Sequence, residues 1–228
     1  MPIPNPHSVQ PINHYLEHTK LNPTMTAADV DTLVGEAKDH QLFGICVPPF
    51  WAKKAARELR NTDISLVTVI GFPLGYQMTQ VKVAEIEQAI KDGAKELDIV
   101  MNISAFKSGM PWVKIELAQC AKLIHEHEAM MKVIIETAYL SDEEVLKAAT
   151  LCQDAGTDFV KTSTGFAPAG AQLQHIKMLR EHLSDHVGIK ASGGIKNLEQ
   201  ARAFVEAGAD RIGTSSGVQI MAEENKAN

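Results

Sequence analysis

The sequence lacks several features that would each have suggested a function. Only three cysteines occur in 228 residues, Cys46, Cys120 and Cys152, widely spaced and without a CxxC. An odd, scattered set argues against a disulfide framework or a zinc site and fits a reducing cytosol. No stretch approaches the ~20 apolar residues of a membrane span. The opening MPIPNPHSVQP is proline-rich and lacks the basic-then-apolar order of a signal peptide. Residues 1–13 are therefore expected to be a flexible arm and 14–228 one catalytic domain. The formal net charge is -6. No basic excess suggests nucleic acid, although a local cationic pocket is compatible with that charge. No GxGxxG follows an early strand, and no His/Glu cluster has metal-ligand spacing.

Short apolar runs alternating with amphipathic stretches are present throughout. The strand candidates are 14–21, 43–48, 65–72, 96–103, 131–137, 158–164, 186–192 and 210–215. Most are apolar on both faces, as in a parallel sheet covered by helices. Between them lie helix signals. Ser141-Asp142-Glu143-Glu144 reads as a capping box ahead of Val145, Ala149 and Cys152. Pro111 suits a first helical turn, and Asn197 an N-cap. DGAKELDIV (92–100), DAGTDFVK (154–161) and EAGADRIG (206–213) repeat one plan, a helix ending in glycine and then a strand. Eight strands with intervening helices and no linker-like shift predict an α/β fold, a single (β/α)8 TIM barrel. A doubly wound open sheet is the alternative.

In such a barrel, chemistry sits at the C-terminal strand ends. Strand alternation places Lys161 on a face with Phe159 and Ser163, and Lys190 with Gly188 and Ser192. If Leu97 and Ile99 face the helices, Asp98 faces the interior; Lys132 and Glu136 are inward candidates too. A lone strand-end lysine ordinarily snorkels to solvent. Two lysines and an aspartate on nearby strands point elsewhere. Close ammoniums repel, so one can lose its proton and attack a carbonyl to form a Schiff base. The aspartate could shuttle the protons that imine chemistry requires.

Gly193-Gly194 and Thr214-Ser215-Ser216-Gly217 follow the last two strand candidates. Small residues there let backbone N–H groups approach an anion. Loops after strands seven and eight frequently hold phosphate in barrels. His14 and His18 are four apart in an extended segment and need not converge. His125 and His127 face different directions on a helix, and His182 and His186 are expected to complement a helix dipole. Cys46 reads as a buried small hydrophobe, and Trp51 and Trp112 as packing residues near helix starts.

Taken together, FVKTSTGF, VGIKASGGI, GADRIGTSSGV, ELDIVMNI, KVIIET and VTVIGFPLG resemble the deoxyribose-phosphate aldolase family, over about residues 15–221. The resemblance implies a TIM barrel and a class I aldolase without cofactor or metal. Such an enzyme reversibly cleaves 2-deoxy-D-ribose 5-phosphate to D-glyceraldehyde 3-phosphate and acetaldehyde. It implies Lys161 as the Schiff-base former, Lys190 as the cation that favours its neutral form, and Asp98 as the proton-relay carboxylate. Gly165, Gly193, Gly194, Ser215 and Ser216 would cradle the phosphate. Glu17, Thr19, Cys46 and Lys132 are candidates for supporting roles. The expected partners are small phosphorylated sugars and aldehydes in the cytoplasm, with neither nucleic acid nor membrane, and a homodimer is left open.

Three departures from the family pattern stand out. Glu17 replaces a usual aspartate, Pro48 a usual asparagine and Thr157 a common alanine. They bear on rate and substrate preference more than on reaction class. The alternatives are another Schiff-base barrel enzyme, such as a transaldolase or keto-deoxy-sugar-phosphate aldolase, and a non-catalytic sugar-phosphate-binding barrel.

Overall fold

In the computed structural model, which describes residues 10–227, each of the eight apolar runs contributes a strand. These are β1 (Leu16–Thr19), β2 (Gly44–Val47), β3 (Ser65–Ile70), β4 (Glu96–Val100), β5 (Met130–Ile134), β6 (Phe159–Lys161), β7 (Gly188–Ser192) and β8 (Arg211–Thr214). All pair in parallel in chain order, and β8 returns to β1 to close the barrel. Helix α1 (Ala27–Asp39) follows β1, α2 (Ala52–Glu58) follows β2 and α3 (Thr79–Lys91) follows β3. Then come α4 (Ile103–Lys107), α5 (Trp112–Glu126), α6 (Asp142–Asp154), α7 (Leu173–His182), α8 (Leu198–Glu206) and, after β8, α9 (Gly217–Ala227). The open-sheet alternative is excluded by closure.

Local signals explain the helix ends. Ser141 Oγ accepts from Glu144 N–H, while the Glu144 carboxylate accepts from Ser141 N–H, completing the capping box of α6. Thr26 and Asp29 do the same for α1, and Asn197 Oδ1 caps α8. Gly93, Gly156 and Gly208, the repeated helix-ending glycines, have φ of 101°, 85° and 109°, a region that disfavours other residues. Leu97, Ile99, Val133, Ile189 and Ala191 are fully buried towards the helices. Complete burial of such Leu, Ile or Val side chains stabilises by roughly 1.5–3 kcal/mol each.

The N-terminal end of the barrel is plugged. The Arg211 guanidinium lies 3.6 Å from the centroid of Phe43 and 5.6 Å from that of Phe159. A side chain at Gly188 would strike the Phe159 ring, so β7 must start with glycine. One at Gly213 would come within 3.0 Å of the Lys190 stem. These two glycines make room for the aromatic floor and for the lysine above it.

Several expectations need adjustment. Strands are shorter than their apolar runs. β6 ends at Lys161; beyond it Thr162 still pairs through its N–H with Lys190 O, while side-chain hydroxyls take over the links, Thr162 Oγ1 donating to Ser192 O and Ser163 Oγ to Thr162 Oγ1. Trp112 is 64% exposed rather than packed. It precedes the inward stripe of α5, which begins at Val113 and continues through Leu117, Cys120 and Ile124. Of the expected arm, residues 1–9 lie outside the described residues. Ile12–Tyr15 instead form a 3-10 turn with Ile12 and Asn13 buried, and Asn13 Nδ2 donates to Gln41 O at 2.8 Å. The Thr157 hydroxyl faces the carbonyls of Met131 and Phe159, 3.2 Å from each, so this departure ties β6 to β5.

Candidate active site

Register brings the charges together. Asp98 on β4 lies opposite Lys132 on β5, and Lys161 on β6 opposite Lys190 on β7. Asp98 Oδ2 accepts from Lys161 Nζ and from Lys190 Nζ, each at 2.7 Å, and Oδ1 accepts from Lys132 Nζ at 3.0 Å. Glu17 on β1 closes the ring. It contacts Lys190 through Oε2 and lies 3.6 Å from Lys132 through Oε1. Glu96 Oε2 is 2.5 Å from Lys132. Three ammoniums thus meet three carboxylates, all of them buried. Charges in a dry interior are tolerated when paired in this way.

The electrostatics follow from that packing. Burial alone would raise the Asp98 carboxyl, but Lys132, Lys161 and Lys190 outweigh it and hold it well below the usual carboxylate range. Burial likewise opposes ionisation of Glu96, and Lys132 overcomes it. Burial works against charge on Lys190 and Lys132 too. Asp98 and Glu17 reverse this for Lys190, and Asp98, Glu17 and Glu96 for Lys132, holding both above the ordinary lysine value. Cys46 is fully buried, and its thiol is pushed up to about 11, first by burial and then by Asp98. It is therefore a packing group rather than a nucleophile. Thr19 Oγ1 donates to Glu17 O at 2.9 Å.

The three lysines differ in access. Lys132 and Lys190 are 0% exposed, whereas Lys161 is 3% exposed and lines a cavity of about 630 Å³ at the C-terminal strand ends. Gly165, Gly193, Gly194, Ser215 and Ser216 line the same cavity. Gly193 and Gly194 have φ of 87° and 80°, and Gly193 packs so closely on Gly170 that neither can carry a side chain. Among the described residues, no internal hydrogen bond engages the N–H groups of Gly165, Gly193 or Gly194. The Ser216 N–H is different, since Thr214 Oγ1 accepts it at 2.9 Å. Ser215 and Ser216 immediately precede α9, so the positive end of that helix also faces this wall.

Two groups in this charged interior had not been singled out. Glu96 shares a strand face with Asp98, so period-two alternation would have found it. Arg211 opens β8, where its position signals a floor residue rather than a catalytic one. Glu136, an inward candidate, lies just past β5. It is buried, burial pushes its carboxyl up, and it accepts from Thr164. His14 is exposed while His18 is buried against Glu36 at 2.8 Å, so the two do not converge.

The family model of DeoC/LacD family aldolases matches residues 11–223. The deoxyribose-phosphate aldolase of Thermococcus gammatolerans is 46% identical over 213 residues, covering 92% of this chain and 95% of its own. A solved aldolase designated QR15 superposes with a TM-score of 0.90 at 42% identity, covering 94% of this chain and 96% of its own. The deoxyribose phosphate aldolase of Aeropyrum pernix, described as tetrameric, superposes with a TM-score of 0.88 at 32% identity. That match covers 95% of this chain and 92% of the other.

Proposed function

Since the chain belongs to the DeoC/LacD aldolase family, we propose that it reversibly cleaves 2-deoxy-D-ribose 5-phosphate to D-glyceraldehyde 3-phosphate and acetaldehyde through a Schiff base on Lys161. The observation that carries this reading is the asymmetry of access. Three lysines share one charged cluster, and only Lys161 lines the cavity.

The chemistry follows from that position. Neutral Lys161 Nζ attacks C1 of the open-chain sugar, and the carbinolamine loses water to give an imine. The protonated imine is the electron sink, so neither metal nor cofactor is called for. Loss of the C3 hydroxyl proton breaks the C2–C3 bond. C3 leaves as the aldehyde of glyceraldehyde 3-phosphate, and the bond's electron pair forms an enamine. Protonation at C2 and hydrolysis then release acetaldehyde and restore the amine. Asp98, between Lys161 and Lys190, is the relay for these transfers. Lys190 stays cationic beside the reacting amine, and Glu17 and Lys132 hold the cluster in place. The amides of Gly165, Gly193 and Gly194 and the hydroxyls of Ser215 and Ser216 receive the phosphate, whose remote binding energy serves the reacting end.

Residues 14–228 act in this reading as one catalytic domain. No described helix is long and apolar enough to cross a membrane, and a cytoplasmic location accords with three free thiols. Self-association, a homodimer being its simplest form, is the reading of the exposed apolar side chains on neighbouring helices, Met78 and Val81 at the start of α3 and Trp112 and Ile115 at the start of α5.

Borohydride reduction in the presence of 2-deoxyribose 5-phosphate should leave an adduct on the Lys161 peptide. Lys161→Ala and Lys161→Arg should lose both the adduct and turnover, since arginine stays protonated. Normal labelling of the alanine variant would assign the nucleophile to another amine.

A further inference from the structure

The residue that fixes the phosphate end of the cavity is not in the lysine cluster. Past β5 the chain still pairs with its neighbour: Ile135 N–H donates to Lys161 O at 3.0 Å and Thr137 N–H to Thr162 O at 2.9 Å. Between them stands Glu136, 3% exposed, with φ of 50°. Left-handed backbone at a non-glycine residue persists only where its surroundings over-determine it. Here the surroundings are the next loop. Glu136 Oε2 accepts from Thr164 N–H at 3.2 Å and also from Thr164 Oγ1. Thr164 Oγ1 in turn accepts from Phe166 N–H at 3.1 Å. One carboxylate thereby ties down the residues on both sides of Gly165.

The other hydroxyls of this loop are committed elsewhere. Thr162 bonds to Ser192 O, Ser163 to Thr162, and Ser192 Oγ to Ser163 O. They join the β6 and β7 ends to each other but do not reach Gly165. Gly165 itself has φ of 85° and no atom within 4 Å of the position a side chain would occupy. Packing on the turn comes from the Gly193 backbone beside it and from the Phe166 ring, which lies edge-on to Phe72 with centroids 5.2 Å apart. The hydrogen bonds that Glu136 accepts add a polar anchor to that packing.

We infer that Glu136 is a positioning residue for phosphate recognition: its carboxylate anchors Thr164 and, through it, the Gly165–Phe166 turn that presents a backbone amide to the substrate phosphate. The inference rests on the aldolase reading for the identity of the substrate, but not for the anchoring itself. Hydrogen bonds to a charged acceptor are the strong ones, which accounts for an acid in a place where an anionic substrate group would otherwise disfavour it.

The test compares wild type with Glu136→Leu and Glu136→Gln. Wild-type turnover of 2-deoxyribose 5-phosphate checks the aldolase reading separately. Phosphorus NMR titration with inorganic phosphate checks Glu136 without any turnover. Glu136→Leu should weaken inorganic phosphate and raise KM for the phosphorylated sugar by about ten-fold or more, the scale of a lost hydrogen bond to a charged group. Its kcat should change much less, and so should kcat/KM for unphosphorylated 2-deoxyribose. Glu136→Gln retains an oxygen able to accept both bonds and should recover most of the affinity. Equal losses on both sugars, or unchanged phosphate affinity in folded Glu136→Leu, would overturn the inference. Should the leucine variant not fold, Thr164→Val removes the hydroxyl that links Glu136 to Phe166 N–H while leaving the Thr164 N–H contact; phosphate affinity should fall there too, and unchanged affinity overturns the inference.

Discussion

Replacing Lys190 with leucine tests the electrostatic effect on Lys161, the proposed nucleophile. Lys161 Nζ and Lys190 Nζ each lie 2.7 Å from the same oxygen, Asp98 Oδ2. The two nitrogens are therefore at most about 5.4 Å apart. Like charges at that separation repel by roughly 3 kcal/mol at an effective dielectric of about 20, equivalent to about a hundred-fold in an equilibrium. Without Lys190, Asp98 and Glu17 also face one cation fewer, which favours the protonated amine further. Only the neutral amine attacks a carbonyl. Imine formation in Lys190→Leu should thus fall by about a hundred-fold at neutral pH and recover as pH rises. The assay is single-turnover imine formation with acetaldehyde, trapped by cyanoborohydride, from neutral to strongly alkaline pH. Because the variant strands Glu17 in the interior, Lys190→Leu should be paired with a Glu17→Gln/Lys190→Leu double variant. The second change removes the stranded carboxylate without restoring the cation, so part of the loss at neutral pH should persist. An unchanged rate and pH profile in both variants would refute the argument, and Lys190 would then serve only to hold Asp98.

Two further outcomes follow from the same charges. Ser216→Asp sets a carboxylate on the cavity wall where the phosphate should sit. KM for 2-deoxyribose 5-phosphate should rise by about ten-fold or more, with far less effect on unphosphorylated 2-deoxyribose; equal losses on both would make the loop merely structural. Thermal unfolding should show an acid-labile fold. Asp98 and Glu96 are held below their unfolded values, so their stabilisation is present above about pH 4 and is lost as pH falls through their lower folded values. Lys190 and Lys132 are held above theirs, so their contribution is complete below about pH 10 and is lost only as pH rises through the folded values. A melting temperature that stayed constant as pH dropped well below 4 would contradict the cluster as described.

The parts of this molecule legible in the sequence are those that depend on local periodicity. Alternation along a strand put Asp98, Lys132, Lys161 and Lys190 on inner faces, because Leu97, Ile99, Val133 and Ile189 claimed the helix side. The glycines at 93, 156 and 208 marked helix ends because few other residues adopt those φ values. What depends on closure was not legible. Glu17 and Lys190 are 173 positions apart and meet only because β8 returns to β1. Lys82 and Glu116 lie 34 positions apart on separate helices, with no local pattern to pair them. Yet α3 packs on α5, and the Lys82 ammonium, 0% exposed, sits 2.5 Å from Glu116 and donates to Val100 O. Trp112 errs in the opposite direction, an aromatic that falls one position outside the buried stripe.

Glu17 shows how a departure from the family pattern can be absorbed. An aspartate on β1 would end one methylene shorter. The glutamate reaches Lys190 with one oxygen and approaches Lys132 with the other. It thereby bridges two lysines that Asp98 also bridges from the opposite side. Two carboxylates spanning the same pair of cations fix both ammoniums more tightly than either would alone, and neither contact involves Lys161. The longer side chain is thus spent on the two lysines that do not reach the cavity. The amine that does reach it keeps a single carboxylate partner, Asp98, and in the proposed mechanism that is the contact it gives up to react.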